Sequence, residues 1–249
     1  YWRINYQLNL FSPRLRAFLG ASKNQYFVDK TNEIPINGTV EIVDGMLQYM
    51  LKRSRAANYN IQYKYEDMRS STLIGNIDVP EDRIAVNSLT YNYDILNEKE
   101  RSLHQGNIKY RTYKYLTGKE SNEESEVDVF NADYVYMTFW NIFNSDTRFI
   151  IRSNMQYADA TLNPLLKFNL GGATRARAYQ PNLYSADDAI YVGMDWVFSA
   201  PSFMDIKISD SINLKRALSP FIFVDYAHGI QRQQSGGDSK ASLSSWGLG

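Results

Sequence analysis

The fold class is clearest from residues 2–10, Trp2-Arg3-Ile4-Asn5-Tyr6-Gln7-Leu8-Asn9-Leu10. Apolar and polar side chains alternate along it, and only an extended strand separates the two kinds cleanly onto opposite faces. The same two-residue period returns further along the chain, at 58–65, 88–95, 148–157 and 190–198. This period predicts an all-β protein.

Eleven strands are predicted from the alternation, and most of them have about ten residues or more. They cover 2–11, 15–29, 39–51, 57–66, 83–95, 104–116, 127–142, 147–158, 188–198, 219–228 and 242–249. A strand of a soluble sheet typically has about five or six residues, whereas a tilted strand that crosses a bilayer has about nine to eleven. The predicted lengths therefore favour strands that cross a membrane.

The connections between these strands alternate in length, as the periplasmic turns and external loops of an outer-membrane barrel do. The short connections are 12–14, 52–56, 96–103 and 143–146, and the long ones are 30–38, 67–82, 117–126 and 159–187. Segment 199–218 breaks the alternation, and it has room for an extra strand or helix around 205–214.

Composition excludes several other classes of protein. The 249 residues include 27 basic and 27 acidic side chains, and a net charge of 27 − 27 = 0 is not typical of a nucleic-acid groove. Cysteine is absent, which excludes disulfide scaffolds, thiolate metal sites and thiol nucleophiles. His104 and His228 lie far apart and outside any metal-binding motif, so we predict neither a metal nor a cofactor.

The sequence also restricts how the chain can cross a membrane. No apolar run reaches the roughly 18 to 20 residues that a membrane-spanning helix needs. The chain starts at Tyr1 without a methionine or a signal-peptide pattern, so we expect it to be part of a longer protein.

Alternation alone does not decide which face of the strands is wet, because soluble and membrane barrels share the same period. Eleven long strands with Arg, Lys, Asn and Gln on the minority face suit a water-filled lumen better than a packed interior. Tyr and Trp recur near strand ends, where the headgroup belts of a membrane protein lie. We therefore predict a transmembrane antiparallel β-barrel with its apolar side chains facing lipid.

The longest predicted loop contains the sequence Lys167-Phe-Asn-Leu-Gly-Gly-Ala-Thr-Arg-Ala-Arg-Ala-Tyr179. Gly171 and Gly172 allow a tight turn with positive φ, and the arginines and the tyrosine follow this turn. The stretch resembles the two-partner secretion transporters, a family that has F-x-L-G-G followed by V-R-G-Y or V-R-G-F after the eleventh of sixteen strands. Arg177 matches the arginine of this motif and Tyr179 its aromatic residue, whereas Ala178 replaces its glycine.

Further stretches are similar to the same family, and they lie at 49–55, 193–196, 221–227 and 242–249. The resemblance implies that 147–158 is the eleventh strand, so that strands 4 to 14 of sixteen are present. Residues 1–249 are then part of an outer-membrane barrel domain, and loop 159–187 folds into its lumen. A signal peptide, a plug helix, periplasmic domains and five further strands are expected outside this chain.

Strand parity and the resemblance together imply a contact between this loop and the barrel wall. Asp195 and Asp225 alternate with apolar residues that we assign to the lipid side, so both carboxylates are expected to face the lumen. A guanidinium binds a carboxylate through two parallel N–H groups, and we expect Arg177 to bind Asp225 with help from Asp195. We call this contact the latch. We expect these residues to be gatekeepers or stabilisers, not catalysts. The alternative is that charges in the lumen pair only to satisfy one another.

The resemblance implies an outer-membrane pore that translocates a secreted partner protein in type V secretion. The partner is expected to be a haemolysin, an adhesin or a contact-dependent toxin, and the barrel is expected to be a monomer in contact with outer-membrane lipids. Three alternatives remain open from the sequence. They are a barrel-assembly insertase of the same superfamily, a passive diffusion porin and a soluble β-rich binding protein or carbohydrate-active enzyme with paired carboxylates.

Overall fold

The structure is a computed structural model of the chain. It describes residues 1–28, 36–74, 77–117, 125–142, 145–163, 166–181, 183–199, 207, 218–233 and 237–249. A helix long and apolar enough to cross a membrane is not found in any of these ranges.

Thirteen β-strands make up the regular structure of the described ranges. They are β1 Trp2–Asn9, β2 Leu15–Val28, β3 Ile36–Arg53, β4 Ala57–Ile74, β5 Ile77–Asn97, β6 Ser102–Thr117, β7 Glu126–Ile142, β8 Ser145–Ala158, β9 Phe168–Asn169, β10 Ser185–Ala186, β11 Asp188–Val197, β12 Phe221–Gln231 and β13 Ser239–Leu248. Eleven of them form one sheet in the order β1 to β8, β11, β12 and β13, while β9 and β10 pair with each other. Every neighbouring pair is antiparallel, and the sheet stays open at β1 and β13.

The prediction of an all-β antiparallel protein with eleven sheet strands is confirmed, but one predicted loop is wrong. Segment 67–82 is mainly strand, because β4 continues to Ile74 and β5 begins at Ile77. The alternation of apolar and polar residues does not predict this extension, because charged residues of the segment interrupt the apolar row. In the folded sheet one of them, Asp67, pairs across strands with Arg83, whose Nη2 lies 2.5 Å from Asp67 Oδ2.

Other differences between predicted and observed strands are smaller. Strand β3 starts three residues earlier than predicted and β12 ends three residues later, whereas β1 ends two residues earlier. The additional element proposed around 205–214 lies outside the described residues.

The two faces of the large sheet differ in character, as the alternation predicts. Large apolar side chains are exposed on the face that we call the outer face, including Ile4, Tyr6, Leu19, Val43, Tyr63, Leu89, Ile108, Tyr110, Met155, Tyr157, Ile190, Val192, Val224 and Tyr226. The other face, the inner face, presents polar side chains such as Lys109, Arg152 and Asp225. The apolar rows are therefore not sealed within a dry core.

Aromatic side chains gather on the outer face toward the ends of strands that short turns connect. Tyr59 stacks on Tyr91 with 6.4 Å between ring centroids, and Trp140 stacks on Phe149 at 5.3 Å. His104 Nδ1 lies 2.9 Å from the hydroxyl of Tyr134 in the same region. Such a row matches the aromatic belt expected where a barrel meets lipid headgroups.

Two buried apolar clusters lie on the inner face, and loop 159–187 contributes to both. One cluster joins the loop to β11, β12 and β13, and consists of Phe168, Leu170, Ala176, Ala186, Ala189, Tyr191, Ala227 and Leu243. The other joins the start of the loop to β5, β6, β7 and β8, and consists of Val86, Tyr113, Val127, Val129, Ala158 and Leu162. The loop thus packs against the inner face of the sheet at two places, one in each cluster.

Candidate functional site

The candidate site lies where a straight row of residues crosses four strands of the inner face. Arg152 of β8 pairs with Gly193 of β11, Gly193 pairs with Asp225 of β12, and Asp225 pairs with Ser245 of β13. Because side chains alternate along a strand, these residues all project from the same face of the sheet. Asp195 follows Gly193 by two residues and projects to that face as well.

Arg177, at the tip of loop 159–187, reaches this row through Nε and Nη2 of its guanidinium group. Its Nε donates to Asp225 Oδ2 at 2.8 Å and its Nη2 donates to Asp225 Oδ1 at 2.8 Å, which makes a bidentate pair. The same Nη2 donates to Asp195 Oδ1 at 2.6 Å. The guanidinium also lies over the ring of Phe223, with Cζ at 3.9 Å from the ring centroid.

Asp225 is the centre of the site, with 0% of its surface exposed. Besides the guanidinium, it accepts hydrogen bonds from the Tyr191 hydroxyl at 2.9 Å and from Ser245 Oγ at 3.1 Å. The backbone N–H of Arg177 donates to Oδ2 at 3.3 Å. A buried carboxylate with this many donors is held in its charged form and in one orientation.

The charges of the site balance in pairs. Arg152 forms an ion pair with Asp195, so two guanidinium groups face two carboxylates. Hydrogen bonding to Asp225 is the main reason that the pKa of Arg177 is raised above its ordinary value, with Asp195 also contributing. Arg177 therefore stays charged, and the ion pairs of the site join loop 159–187 to the inner face of the sheet.

The glycine pair shapes the turn that presents Arg177. Gly172 has φ of +113°, a value that side chains with a Cβ rarely adopt. Gly171 is buried, and a Cβ on it would lie 2.8 Å from the carbonyl oxygen of Gln180. Ala178, which replaces the family glycine, is not among the described residues with positive φ. The turn thus depends on Gly171 for space and on Gly172 for conformation.

Tyr179 and Arg175 flank Arg177 and contact other parts of the molecule. The Tyr179 hydroxyl lies 3.4 Å from the carbonyl oxygen of Ser244 on β13. Arg175 stacks over Phe168 at 3.7 Å from the ring centroid and donates to the carbonyl oxygen of Asn169 at 2.7 Å. Burial lowers the pKa of Arg175. Of the two loop arginines, Arg177 is the one that the structure brings to the carboxylates.

Sequence reasoning named Arg177, Asp195, Asp225, Tyr179, Gly171 and Gly172, and it missed three residues that complete the site. These are Arg152, Tyr191 and Ser245, which bind the two carboxylates. Arg152 was recognisable as a charge on the minority face of its strand. Its pairing with Asp195 depends on strand register, which alternation does not give. Across the described ranges, no group of three His, Asp or Glu side chains is arranged to hold a metal ion.

A family model described as "Haemolysin secretion/activation protein ShlB/FhaC/HecB" matches residues 13–249. Among solved structures, CdiB from Acinetobacter baumannii superposes with a TM-score of 0.72 and 17% identity, over 99% of this chain and 43% of that one. CdiB from Escherichia coli superposes with a TM-score of 0.69 and 11% identity, over 99% of this chain and 46% of that one.

The chain therefore spans less than half the length of these two solved structures, and the likeness to them shows a shared fold. No match was found among curated proteins.

Proposed function

Since the chain belongs to the haemolysin secretion/activation protein family ShlB/FhaC/HecB, a family of outer-membrane β-barrel transporters, we propose that it forms part of a pore that translocates a secreted partner protein. Residues 1–249 are then a partial barrel domain, with loop 159–187 folded into the lumen. The apolar outer face contacts outer-membrane lipids and the polar inner face lines the path of the partner. The partner is a secreted exoprotein, and the barrel works as a monomer.

The latch is the observation that carries the proposal. Arg177 makes two hydrogen bonds of 2.8 Å to Asp225 and one of 2.6 Å to Asp195, and these bonds fix the tip of the loop against the lumen wall. A structural loop of a passive pore does not need a charged tip held in this way. A latched tip, in contrast, controls how much of the lumen is open to a passing chain.

The strength of the latch follows from the burial of its carboxylate. Removing one partner of a buried ion pair leaves the other charge without compensation, which costs about 3–5 kcal/mol. Asp225 is fully buried, while the Arg177 side chain keeps 18% of its exposure, so partial hydration of the arginine reduces this value. The latch is strong enough to hold the tip and weak enough to open when a partner chain competes for the lumen.

The first prediction tests the latch directly. In the full-length transporter, Arg177→Ala should assemble in the outer membrane but secrete its partner protein poorly, since the loop tip is no longer held. Arg177→Lys should not restore secretion, because a lysine cannot bind Asp225 through two parallel N–H groups. The measurement is the amount of partner protein in the medium, relative to the amount of folded barrel in the membrane.

A matched control removes an arginine from an ion pair outside the loop. Arg101 pairs with Asp146 at 3.3 Å, and both side chains are more than half exposed. Arg101→Ala should secrete like the wild type, because exposed pairs contribute little. Full secretion by Arg177→Ala would remove the proposed role of the latch.

A further inference from the structure

A second polar cluster lies at the base of loop 159–187, separate from the latch. Its centre is Asp187, the last residue of the loop, with 0% of its surface exposed. Asp187 Oδ2 pairs with Lys167 Nζ at 3.3 Å, and only 7% of the Lys167 side chain is exposed. We call this cluster, which consists of Asp187, Lys167, Arg232 and Gln156, the base hub.

Asp187 binds the first part of the loop and the end of β12 at the same time. Its Oδ1 accepts the backbone N–H of Leu162 at 2.8 Å. Its Oδ2 accepts the backbone N–H of Arg232 at 2.8 Å, and its own backbone N–H donates to the carbonyl oxygen of Ile230 at 2.9 Å. One side chain thus clamps the two ends of the loop together and ties both to the barrel wall.

Gln156 extends the base hub across the inner face of the sheet. Its Nε2 donates to the carbonyl oxygen of Asp187 at 3.2 Å and to that of Leu166 at 3.3 Å. Its Oε1 accepts from Asn131 Nδ2 of β7 at 3.1 Å, and Asn131 in turn accepts from Arg111 of β6. The base of the loop is therefore connected by hydrogen bonds to three successive strands.

Arg232 and Asp188 strengthen the same region. Arg232 Nη2 donates to Asp188 Oδ2 at 2.7 Å, and Arg232 Nη1 donates to the carbonyl oxygens of Ala158 and Ala160. Asp188 Oδ1 accepts the backbone N–H of Ala158 at 2.9 Å. The end of β8 and the start of the loop are thus held at the point where β11 begins.

We propose that Asp187 is a positioning residue, which fixes the base of the loop so that Arg177 at its tip reaches Asp225. The reason is entropic: clamping both ends of a loop removes most of the conformations in which its tip lies far from the wall. The tip depends on the base in one direction only. Loss of the base hub should release the tip of the loop, whereas loss of the latch should leave the base of the loop in place.

Limited trypsin digestion tests this direction without any transport assay, because each site contains its own trypsin target. Cleavage after Lys167 reports opening of the base, and cleavage after Arg177 reports opening of the tip. The full-length protein in detergent micelles is digested, and peptides ending at either residue are quantified by mass spectrometry. Heat-dependent migration in gels confirms that each variant holds a folded barrel.

For Asp187→Ala we expect cleavage after both Lys167 and Arg177 to rise by roughly tenfold or more, because a buried ion pair is lost. For Asp225→Asn we expect a rise after Arg177 with Lys167 still protected. Asp159→Ala is the matched control: Asp159 is an exposed carboxylate of the same loop, and it accepts the backbone N–H of Asp128 at 2.9 Å. Its digestion pattern should equal that of the wild type.

A double variant separates positioning from simple charge burial. Lys167→Met combined with Asp187→Leu removes both charges, which relieves the cost of an unpaired buried ion. The bonds to the Leu162 and Arg232 amides stay lost, so cleavage after Arg177 should remain high. If Asp187→Ala does not fold, Asp187→Asn, which keeps an acceptor for Leu162, should show a smaller rise at both targets.

Protection of Arg177 from cleavage in Asp187→Ala, or in the double variant, would overturn the inference. It would also be overturned if Asp225→Asn raised cleavage after Lys167 as much as cleavage after Arg177. The consequence for secretion rests on the proposed function, since a displaced tip should also lower secretion. If digestion changes as expected and secretion does not, the base hub stands and the proposed role of the loop in transport fails.

Discussion

At the scale of single residues, Gly193 shows how a missing side chain makes room for the latch. A Cβ on Gly193 would collide with the Tyr191 hydroxyl and lie 2.8 Å from Asp225 Oδ1. Gly193→Ala should therefore displace the carboxylate or its tyrosine donor, at a cost of about 1–3 kcal/mol from overpacking. We expect lower secretion and more trypsin cleavage after Arg177.

Gly45 provides the matched control for this substitution, since it also lies within a strand of the large sheet. A Cβ on Gly45 meets only Leu19 Cδ2, at an ordinary distance of 3.8 Å. Gly45→Ala should leave secretion and digestion unchanged. Identical behaviour of the two alanine variants would show that the space at Gly193 does not serve the latch.

What sequence reasoning can find at this scale depends on how each contact is formed. Parity within one strand is enough to place Asp195 or Asp225 on a face, because it needs only the alternation of the residues themselves. The partners Arg152 and Tyr191 require the register between strands, and the base hub around Asp187 requires the path of a loop. Neither register nor path is encoded in a local pattern.

At the scale of elements, loop 159–187 depends on Leu170 for its apolar attachment to the wall. Leu170 is 0% exposed, and its Cδ2 lies 3.0 Å from the position of a Cβ on Gly229. Leu170→Ala should cost about 2–5 kcal/mol of local stability, since it leaves a cavity between the loop and β12. Amide hydrogen exchange should become faster in 168–181 and stay slow in β11.

The control for this element comes from the same loop. Leu183 is 54% exposed, so Leu183→Ala removes a leucine without opening a buried cavity. Its exchange should match that of the wild type. Equal acceleration by the two substitutions would mean that the loop is not attached through its buried leucine.

The strands themselves were predictable to different degrees. Where one face is apolar throughout, as in β11, the predicted range 188–198 and the observed Asp188–Val197 nearly coincide. In the parts of β4 and β5 that lie within 67–82, the alternation of apolar and polar residues ends and charged residues become frequent. Asp67 of this segment pairs across strands with Arg83, and such a pair leaves no periodic signal in the sequence.

At the scale of the whole molecule, the orientation of the two faces determines what the sheet can be. Residues 108–111 of β6 alternate between the faces. Ile108 and Tyr110 are exposed on the outer face, while Lys109 and Arg111 lie on the inner face. Such a sheet would expose a wide apolar surface to water if it were soluble. In a bilayer the same surface is covered by acyl chains, and the charged face lines a wet lumen.

Two adjacent substitutions on β6 test this orientation. Ile108→Arg places a charge on the lipid side and should cost about 2–4 kcal/mol near the bilayer midplane, with less folded barrel in the membrane. Asn107→Arg adds the same side chain one residue away on the inner face, where Lys109 is already tolerated, and should assemble normally. The measurement is the heat-resistant folded fraction in outer-membrane extracts. Normal assembly of Ile108→Arg together with failure of Asn107→Arg would reverse the assignment of the faces, and the latch would then point into lipid instead of a pore.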